Sequence, residues 1–421
     1  MEQFVIGLFL IFFAVEFLVE FVLNEMNIRH VRNKSAEQKV PEFFESKITA
    51  EDYRKSAEYT LAKGRFQRWA GIYGELVTLV VLFSGLLPFL DSLAHRLSGG
   101  FPGGPKIRGI LFCLSAGLIY SLLTIPADLY STFVIEERFG FNKTTPGLYL
   151  ADKLKGVFLG LIIGAPFLLG VLWLMASAGA FWWFWAFLFV FAFQVLMIVL
   201  YPALIAPLFN RFEPLKEGEL RERILDLADR VGFKTGGIYT MDGSKRSTHS
   251  NAYFTGIGKT KRIVVFDTLV DQMPIGQGLA VLAHEIGHYK MKHIRTMLVV
   301  RSIPLLASLY ILSRLVDYEP LFRAFGFGGH SDHVALVLFS ILSGPFTFYL
   351  IPALNFLSRR HEYEADHFAV QTLGDEKAME EALLSLTINN LSNLSPHPWY
   401  SACHYSHPSA AERIDAIRAE T

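Results

Sequence analysis

Long apolar runs dominate the pattern of this 421-residue chain. Seven of these runs reach the roughly 20 residues that an α-helix needs to cross the hydrocarbon core of a bilayer. The short turn Ala-Ser-Ala-Gly-Ala joins the fourth run to the fifth and predicts a helical hairpin. The pattern therefore predicts a mainly α membrane protein with seven transmembrane helices. The predicted spans are residues 4–23, 70–90, 109–130, 157–176, 181–204, 296–315 and 334–357.

Two polar segments lie outside the predicted spans, one before the sixth span and one after the seventh. We expect them to form one water-facing domain from two separate pieces of the chain. The predicted organisation is helices 1–5 with their loops, a polar insert, helices 6 and 7, and a polar C-terminal part. These four parts cover residues 1–204, 205–295, 296–357 and 358–421.

Basic residues are unevenly distributed among the predicted loops. The loop after the first span carries ten Lys and Arg residues, whereas the loop after the second carries three and the hairpin turn none. Because positively charged loops stay on the cytosolic side of a membrane, this alternation predicts that both polar segments face the cytosol. The formal net charge is zero, so no general attraction for nucleic acid is implied. The two cysteines lie far apart and predict neither a disulfide framework nor a thiolate metal site.

Several ionisable residues and prolines lie within the predicted spans. A charged side chain in a bilayer is costly and needs a partner or water. Two interpretations stay open, namely hydrogen bonds between helices near the interface and a water-filled cavity between the spans. The prolines predict kinks, which leave space without establishing a cavity. The charged residues are Glu16, Glu20, Glu75, Asp128 and Arg301, and the prolines are Pro88, Pro126, Pro166, Pro304, Pro345 and Pro352.

The strongest chemical signal is the stretch His284-Glu285-Ile286-Gly287-His288, which lies in a run of apolar residues at helical spacing. His284 and His288 are four residues apart, so on a helix both imidazoles project from one face and suit a single Zn²⁺ per chain. Glu285 is placed to take a proton from a water molecule at the metal. The alternative is a pair of surface histidines on an ordinary helix.

A catalytic zinc needs a third protein ligand and an open fourth position. Glu362, Glu364 and Asp366 follow the last predicted span directly. On a helix Glu362 and Asp366 share a face, so one could bind the metal while the other accepts a hydrogen bond from a ligand imidazole. The residue types do not choose between Glu362 and Glu364, and a solvated charged helix is the alternative.

Together these motifs resemble the type I CAAX prenyl endopeptidases, a family of seven-span membrane zinc proteases of the gluzincin type. The number of spans matches, as do the HExxH motif before the sixth span and the ExxxD motif after the seventh. Residues 133–145, 249–256 and 404–414 are similar to further motifs of that family. The resemblance implies a cytosol-facing protease domain with a small sheet, and spans that enclose an intramembrane chamber.

The resemblance also implies roles for individual residues. Glu362 becomes the third metal ligand, and Asp366 becomes the hydrogen-bond partner of a ligand. Arg413 is implied to support the site, and His407 to contact the substrate or an intermediate. The implied contacts to the substrate backbone are Asn251, Ala252 and Tyr253.

The residues alone predict less for this part of the site. Residues 251–256 and 262–270 are rich in aromatic and β-branched side chains and predict two strands. An exposed strand could pair with an extended peptide, but an ordinary small sheet packed on the metal helix is the alternative. We expect four further histidines to be structural, namely His249, His293, His361 and His367.

The sequence thus predicts an endopeptidase that cleaves near the C-terminus of peptides or proteins, with or without a prenyl group. A membrane quality-control zinc protease of the HtpX kind, a transporter with a structural zinc and an inactive scaffold are the alternatives. The C-terminal sequence Arg-Ala-Glu-Thr shows no endoplasmic-reticulum retention signal. This feature and the compact chain without long insertions predict a bacterial member in the inner membrane, whereas a eukaryotic one would lie in the endoplasmic reticulum.

Overall fold

The structure, a computed structural model, describes residues 1–37, 40–41, 44–45, 47–100, 103–256 and 261–420, with the backbone alone described at residue 420. Residue 421, which ends the C-terminal sequence interpreted above, lies outside the described residues. Helices make up most of the described chain. The first eight are α1 (Glu2–Ala36), α2 (Ala50–Phe83), α3 (Leu86–Ser98), α4 (Gly104–Tyr130), α5 (Pro146–Leu159), α6 (Ala165–Ser177), α7 (Trp182–Leu200) and α8 (Ala206–Phe209). The remaining helices are α9 (Glu219–Arg230), α10 (Asp267–Gln272), α11 (Ile275–Lys290), α12 (His293–Leu315), α13 (Glu319–Ala324), α14 (Asp332–Leu342), α15 (Gly344–Thr347), α16 (Ile351–Leu373), α17 (Glu376–Asn389), α18 (Pro398–His404) and α19 (Ala410–Glu420).

Five helical segments in the described part of the chain are long and apolar enough to cross a membrane, and up to seven if each of two bent helix pairs is one span. The bends measure 54° between α2 and α3, and 45° between α14 and the segment Gly344–Leu373. Gly85 lies at the first bend with a φ of +82°, which glycine adopts without steric cost. The prediction of a mainly α, multi-span membrane protein is confirmed. The five segments are Glu2–Ala36, Gly104–Glu136, Pro146–Ser177, Gly179–Phe209 and His293–Leu315.

The helices extend well beyond the apolar runs that predicted them. α1 continues past residue 23 to Ala36, and α2 begins at Ala50 instead of near residue 70. These polar extensions pack against each other, because Asn24 Nδ2 donates a hydrogen bond to the Gly64 carbonyl at 3.0 Å. A hydropathy pattern detects the part of a helix that lies in the bilayer, and it misses the part that projects from it.

A four-stranded sheet forms within the polar insert. Its strands are β1 (Phe212–Pro214), β2 (Ile238–Met241), β3 (Ala252–Thr255) and β4 (Arg262–Phe266). Their order is β1-β2-β4-β3, with β4 parallel to β2 and antiparallel to β3. β3 therefore forms an edge of the sheet, and it lies against α11.

Two large hydrophobic cores occupy opposite ends of the molecule. We call the first the polar-half core, and it includes Tyr53 near the start of α2. We call the second the membrane-half core, and it includes Leu82 near the end of α2. At 1.5 Å per helical residue these positions lie about 44 Å apart. Little of the most apolar part of the spans is buried, since at most 11% of that 18-residue stretch is buried in each of the five segments.

Candidate metal centre

Helix α11 carries the His-Glu-Ile-Gly-His stretch and is buried along most of its length. Leu279, Leu282 and Ile286 recur at helical spacing and pack into the polar-half core, as the sequence predicts. Helix α16 passes so close that a Cβ on Gly287 would lie 3.2 Å from the Ala365 Cα. This approach brings side chains from distant parts of the sequence into one site.

Three side chains, those of His284, His288 and Glu362, converge between the two helices. The Nε2 atoms of the two histidines lie 3.0 Å apart. The Glu362 oxygens lie 3.3 Å from Nε2 of His288 and 3.5 Å from Nε2 of His284. Two donor atoms that each lie about 2.1 Å from a tetrahedral ion are about 3.4 Å from one another. Oε2 of Glu362 is also buried without a hydrogen bond of good geometry from the described residues. The three side chains therefore fit one metal ion.

Asp366 and Arg413 surround this triangle. His284 Nδ1 lies 2.7 Å from Asp366 Oδ1, and Arg413 Nε donates to Asp366 Oδ2 at 2.7 Å. Arg413 Nη1 also lies 3.4 Å from Glu362 Oε2. Asp366 is only 1% exposed, so its carboxylate depends on these two partners. The structure thus brings both predicted supporting residues to the site.

Glu285 and His407 both lie at the metal centre, but Glu285 is largely buried whereas the side chain of His407 is exposed. Burial raises the pKa of the Glu285 carboxyl above its usual range, and the imidazoles of His284 and His288 act in the opposite direction. His407 Nδ1 lies 2.9 Å from Glu362 Oε2, while its side chain is 66% exposed. His407 is therefore placed where a bound molecule could touch it.

The predicted substrate strand lies beside the metal helix. Asn251 precedes β3 and is exposed, and its Oδ1 accepts a hydrogen bond from the Ala252 backbone at 2.8 Å. Ala252 is buried, and the Tyr253 hydroxyl faces the Met241 sulfur at 3.9 Å. The side chains of Ala252 and Tyr253 are thus engaged within the protein. The strand can offer a peptide its backbone edge.

A cavity of about 600 Å³ opens beside the metal ligands. His407 and Arg413 line one part of it, and Lys63 and Gln67 of α2 line another. The cavity therefore extends from His407 and Arg413, which contact Glu362, to the middle of α2.

One residue at the site, His293, was not predicted to belong there, and Glu364 takes a different place from the one considered for it. His293, expected to be structural, places its Nδ1 2.9 Å from Nδ1 of His288. Its Nε2 lies 3.0 Å from Oε2 of Glu364, which the residue types left open as a metal ligand. A histidine soon after the second ligand was the only available signal. The other histidines expected to be structural contact aromatic or amide groups, with His249 stacked on Phe141, His361 stacked on His293, and His367 beside Gln371.

Two protein-family models match most of the length of this chain. The family described as "CAAX prenyl protease N-terminal, five membrane helices" matches residues 27–211, and peptidase family M48 matches residues 214–421. The CAAX prenyl protease 1 of Saccharomyces cerevisiae is 37% identical over 408 residues, which cover 91% of this chain and 89% of that one. This chain belongs to the CAAX prenyl protease 1 family.

Other members of the CAAX prenyl protease 1 family support the same conclusion. The Homo sapiens homolog is 33% identical over 414 residues, covering 88% of this chain and 87% of that one. The crystal structure of S. mikatae Ste24p matches with a TM-score of 0.90 and 34% identity, covering 96% of this chain and 97% of that one. The family resemblance is therefore confirmed. The protein is a multi-pass membrane metalloprotease, and its family implies a metal cofactor.

Proposed function

We propose that this protein is a zinc endopeptidase that cleaves peptide bonds near the C-terminus of prenylated CAAX-type peptides or proteins. The observation that carries the proposal is the triangle of His284, His288 and Glu362 with Glu285 beside it. Two imidazoles and one carboxylate are the ligand set that catalytic zinc uses in many hydrolases. The prenylated substrate class comes from its relatives, which are named CAAX prenyl protease 1 or its homologs.

In this proposal each residue has a distinct task. When bound, zinc lowers the pKa of a water molecule and polarises the scissile carbonyl. Glu285 accepts the proton of the attacking water and delivers it to the leaving amine. His407 donates a hydrogen bond to the oxygen on which charge develops. Asp366 and Arg413 hold His284 in position.

The substrate is proposed to bind as an added strand along β3. Edge strands bind extended peptides through main-chain hydrogen bonds. Asn251 supports this arrangement because its side chain is exposed at the start of the strand. Ala252 then offers its backbone carbonyl at the open edge, because Phe266 N–H donates to the Asn251 carbonyl and alternate residues of β3 face away from β4. Contact of a substrate with Tyr253 stays a prediction.

Cleavage is proposed to occur at the edge of a water-filled intramembrane chamber. The chain exposes 21988 Å², whereas a soluble folded chain of 47.5 kDa exposes about 16,000 Å². α5 and the π-helical segment Gly160–Gly164 after it contain no buried residue, which supports open space beside this span. A chamber of this kind restricts access to peptides and flexible chain ends.

The active site is proposed to face the cytosol. The polar-half core includes Tyr53, which lies in the segment between the first two predicted spans that carries ten basic residues. Positively charged loops mark the cytosolic side. Location in a bacterial inner membrane stays a prediction that none of these observations tests.

Cleavage of a farnesylated CAAX peptide and its unprenylated twin by the purified protein tests the proposal. We expect the farnesylated peptide to be cut, and both a chelator and Glu285→Gln to abolish cleavage. Glu222→Gln, an exposed carboxylate on α9, is the matched control and should retain activity. Equal cleavage of both twins and of unrelated unfolded proteins would favour the quality-control alternative. No cleavage of either peptide by zinc-loaded protein would overturn the proposal.

A further inference from the structure

We propose that His293 and Glu364 form a hydrogen-bonded chain that fixes the ring orientation and tautomer of His288. This inference rests on the proposed zinc site, and it assigns both residues as positioning residues. His284 obtains the same support from a different source, the carboxylate of Asp366. The two metal-facing histidines would thus be held by different chemical groups.

The distances define one continuous chain. His288 directs Nε2 toward His284 and Glu362, so its Nδ1 points outward. That Nδ1 lies 2.9 Å from Nδ1 of His293. Nε2 of His293 lies 3.0 Å from Glu364 Oε2, and Arg360 Nε donates to Glu364 Oε1 at 2.9 Å.

Proton positions along this chain can be assigned in only one consistent way. A metal-binding Nε2 must carry a lone pair, so a neutral His288 carries its proton on Nδ1. His288 then donates to Nδ1 of His293, which must be the acceptor. The remaining proton of His293 lies on Nε2 and is donated to the Glu364 carboxylate. Each donor in the chain therefore meets an acceptor.

The backbone between α11 and α12 is folded to make this contact. In an unbroken α-helix, side chains five residues apart point about 140° away from each other, so His293 would face away from His288. Lys292 breaks the helix with a φ of +63°. A non-glycine residue rarely adopts this conformation, and it costs roughly 1 kcal/mol or more. The turn brings His293 back onto His288.

The His293 ring is buried, and the ring of His361 packs against it. His361 stacks on it with ring centroids 4.0 Å apart and an interplanar angle of 8°. Both imidazoles are less than 10% exposed. Packing on one face and hydrogen bonds at both nitrogens leave the His293 ring little freedom, as a positioning residue requires.

A second metal ion held by His293, His361 and Glu364 is the competing interpretation, because their donor atoms also lie within 4.8 Å of one another. An ion binds an imidazole nitrogen in the plane of the ring. Two nearly parallel stacked rings cannot both satisfy that geometry with one ion. Both nitrogens of His293 are also within hydrogen-bond distance of other groups. The observed arrangement therefore favours the hydrogen-bonded chain.

Zinc affinity, measured by competition with a chromogenic chelator, tests the proposed hydrogen-bonded chain independently of proteolysis. Loss of a group that orients a ligand histidine weakens metal binding by roughly 10- to 100-fold. His293→Leu is expected to show a loss of this size. His293→Asn places an amide oxygen near the Nδ1 position and should rescue most of the affinity. His293→Gln reaches the Nε2 position instead and should behave like His293→Leu.

The matched control is His367→Asn, an exposed histidine on the same helix as Glu364, which should bind zinc like the wild type. Equal zinc affinity of the Asn and Gln variants at position 293 would overturn the inference, even if His293→Leu does not fold. Two zinc ions per wild-type chain, with one lost in His293→Leu, would also overturn it in favour of the second metal site. The wild type could bind one zinc and show this pattern of variant affinities but cut no CAAX peptide. That result would support the hydrogen-bonded chain from His288 to Glu364 and contradict the proposed substrate.

Discussion

His284 Nδ1 and Asp366 Oδ1 lie 2.7 Å apart, although 82 residues separate them in the sequence. This contact joins α11 to α16 and leaves Nε2 of His284 facing His288 and Glu362. The carboxylate thus selects the tautomer that a metal needs, and Arg413 holds the carboxylate in turn.

Replacement of this carboxylate should weaken metal binding. Asp366→Asn keeps the shape of the side chain but removes the negative charge that favours the His284 Nδ1 proton. We expect zinc affinity to fall by roughly 10- to 100-fold, measured by chelator competition. The control Asp226→Asn, on the exposed face of α9, should leave the affinity unchanged. Equal affinities of the two variants would show that Asp366 does not orient the ligand.

The glycine of the metal motif is expected to be required for the approach of two helices. A Cβ at Gly287 would lie 3.1 Å from Phe368 Cδ1 and 3.2 Å from the Ala365 carbonyl oxygen. Gly287→Ala should therefore push α16 away, lower the unfolding free energy by about 1–3 kcal/mol and weaken zinc binding. Thermal unfolding and chelator competition measure the two effects.

Gly276→Ala is the control on the same helix, since no atom lies within 4 Å of its added Cβ. Alanine is favoured over glycine in a helix by about 1 kcal/mol, so this variant should be neutral or more stable. If Gly287→Ala behaves in the same way, close packing of α11 on α16 is not what the motif glycine provides.

Local spacing predicted part of the metal centre, and long-range packing supplied the rest. His284, Glu285 and His288 share a face because of helical periodicity alone. The proximity of Glu362 to the two histidines depends on how α16 packs on α11. The residue types therefore could not decide whether Glu362 or Glu364 is the third metal ligand, and only the family resemblance favoured Glu362. His293 was missed because the left-handed conformation is adopted by Lys292, and no glycine at that position predicts a turn.

The fold shows a similar division. Apolar runs located the spans because burial in a bilayer requires them. They did not reveal the polar extensions of α1 and α2, whose stability comes from contacts such as Asn24 with Gly64. Prolines predicted kinks, and one of the two observed bends has Gly85 at the break, followed closely by Pro88 in α3.

An ion-pair cluster that includes none of the metal ligands should make stability depend on pH. Arg418 donates two hydrogen bonds to Glu380, at 2.6 and 2.7 Å, and Lys47 donates a third at 3.1 Å. The Arg418 hydrogen bonds lower the pKa of the Glu380 carboxyl. A lowered folded-state pKa stabilises the fold above the unfolded value of 4.5, and this stabilisation is lost as the pH falls below it.

Glu380→Gln should therefore lower the unfolding free energy by about 2 kcal/mol at pH 7, with the difference from the wild type shrinking as the pH drops below 4.5. Thermal unfolding across this pH range measures it. Glu219→Gln, whose ion pair with Arg223 is exposed, should change stability little at any pH. A Glu380→Gln deficit that persists unchanged at low pH would contradict the assignment.

We infer that one zinc ion binds to His284, His288 and Glu362, and a zinc-edge anomalous difference map from crystals of the purified protein would show whether it does. We predict one peak per chain, about 2.0–2.2 Å from Nε2 of both histidines and from a Glu362 oxygen. A map with no peak at this position, or with a peak bound by Glu364 in place of Glu362, would contradict the claim.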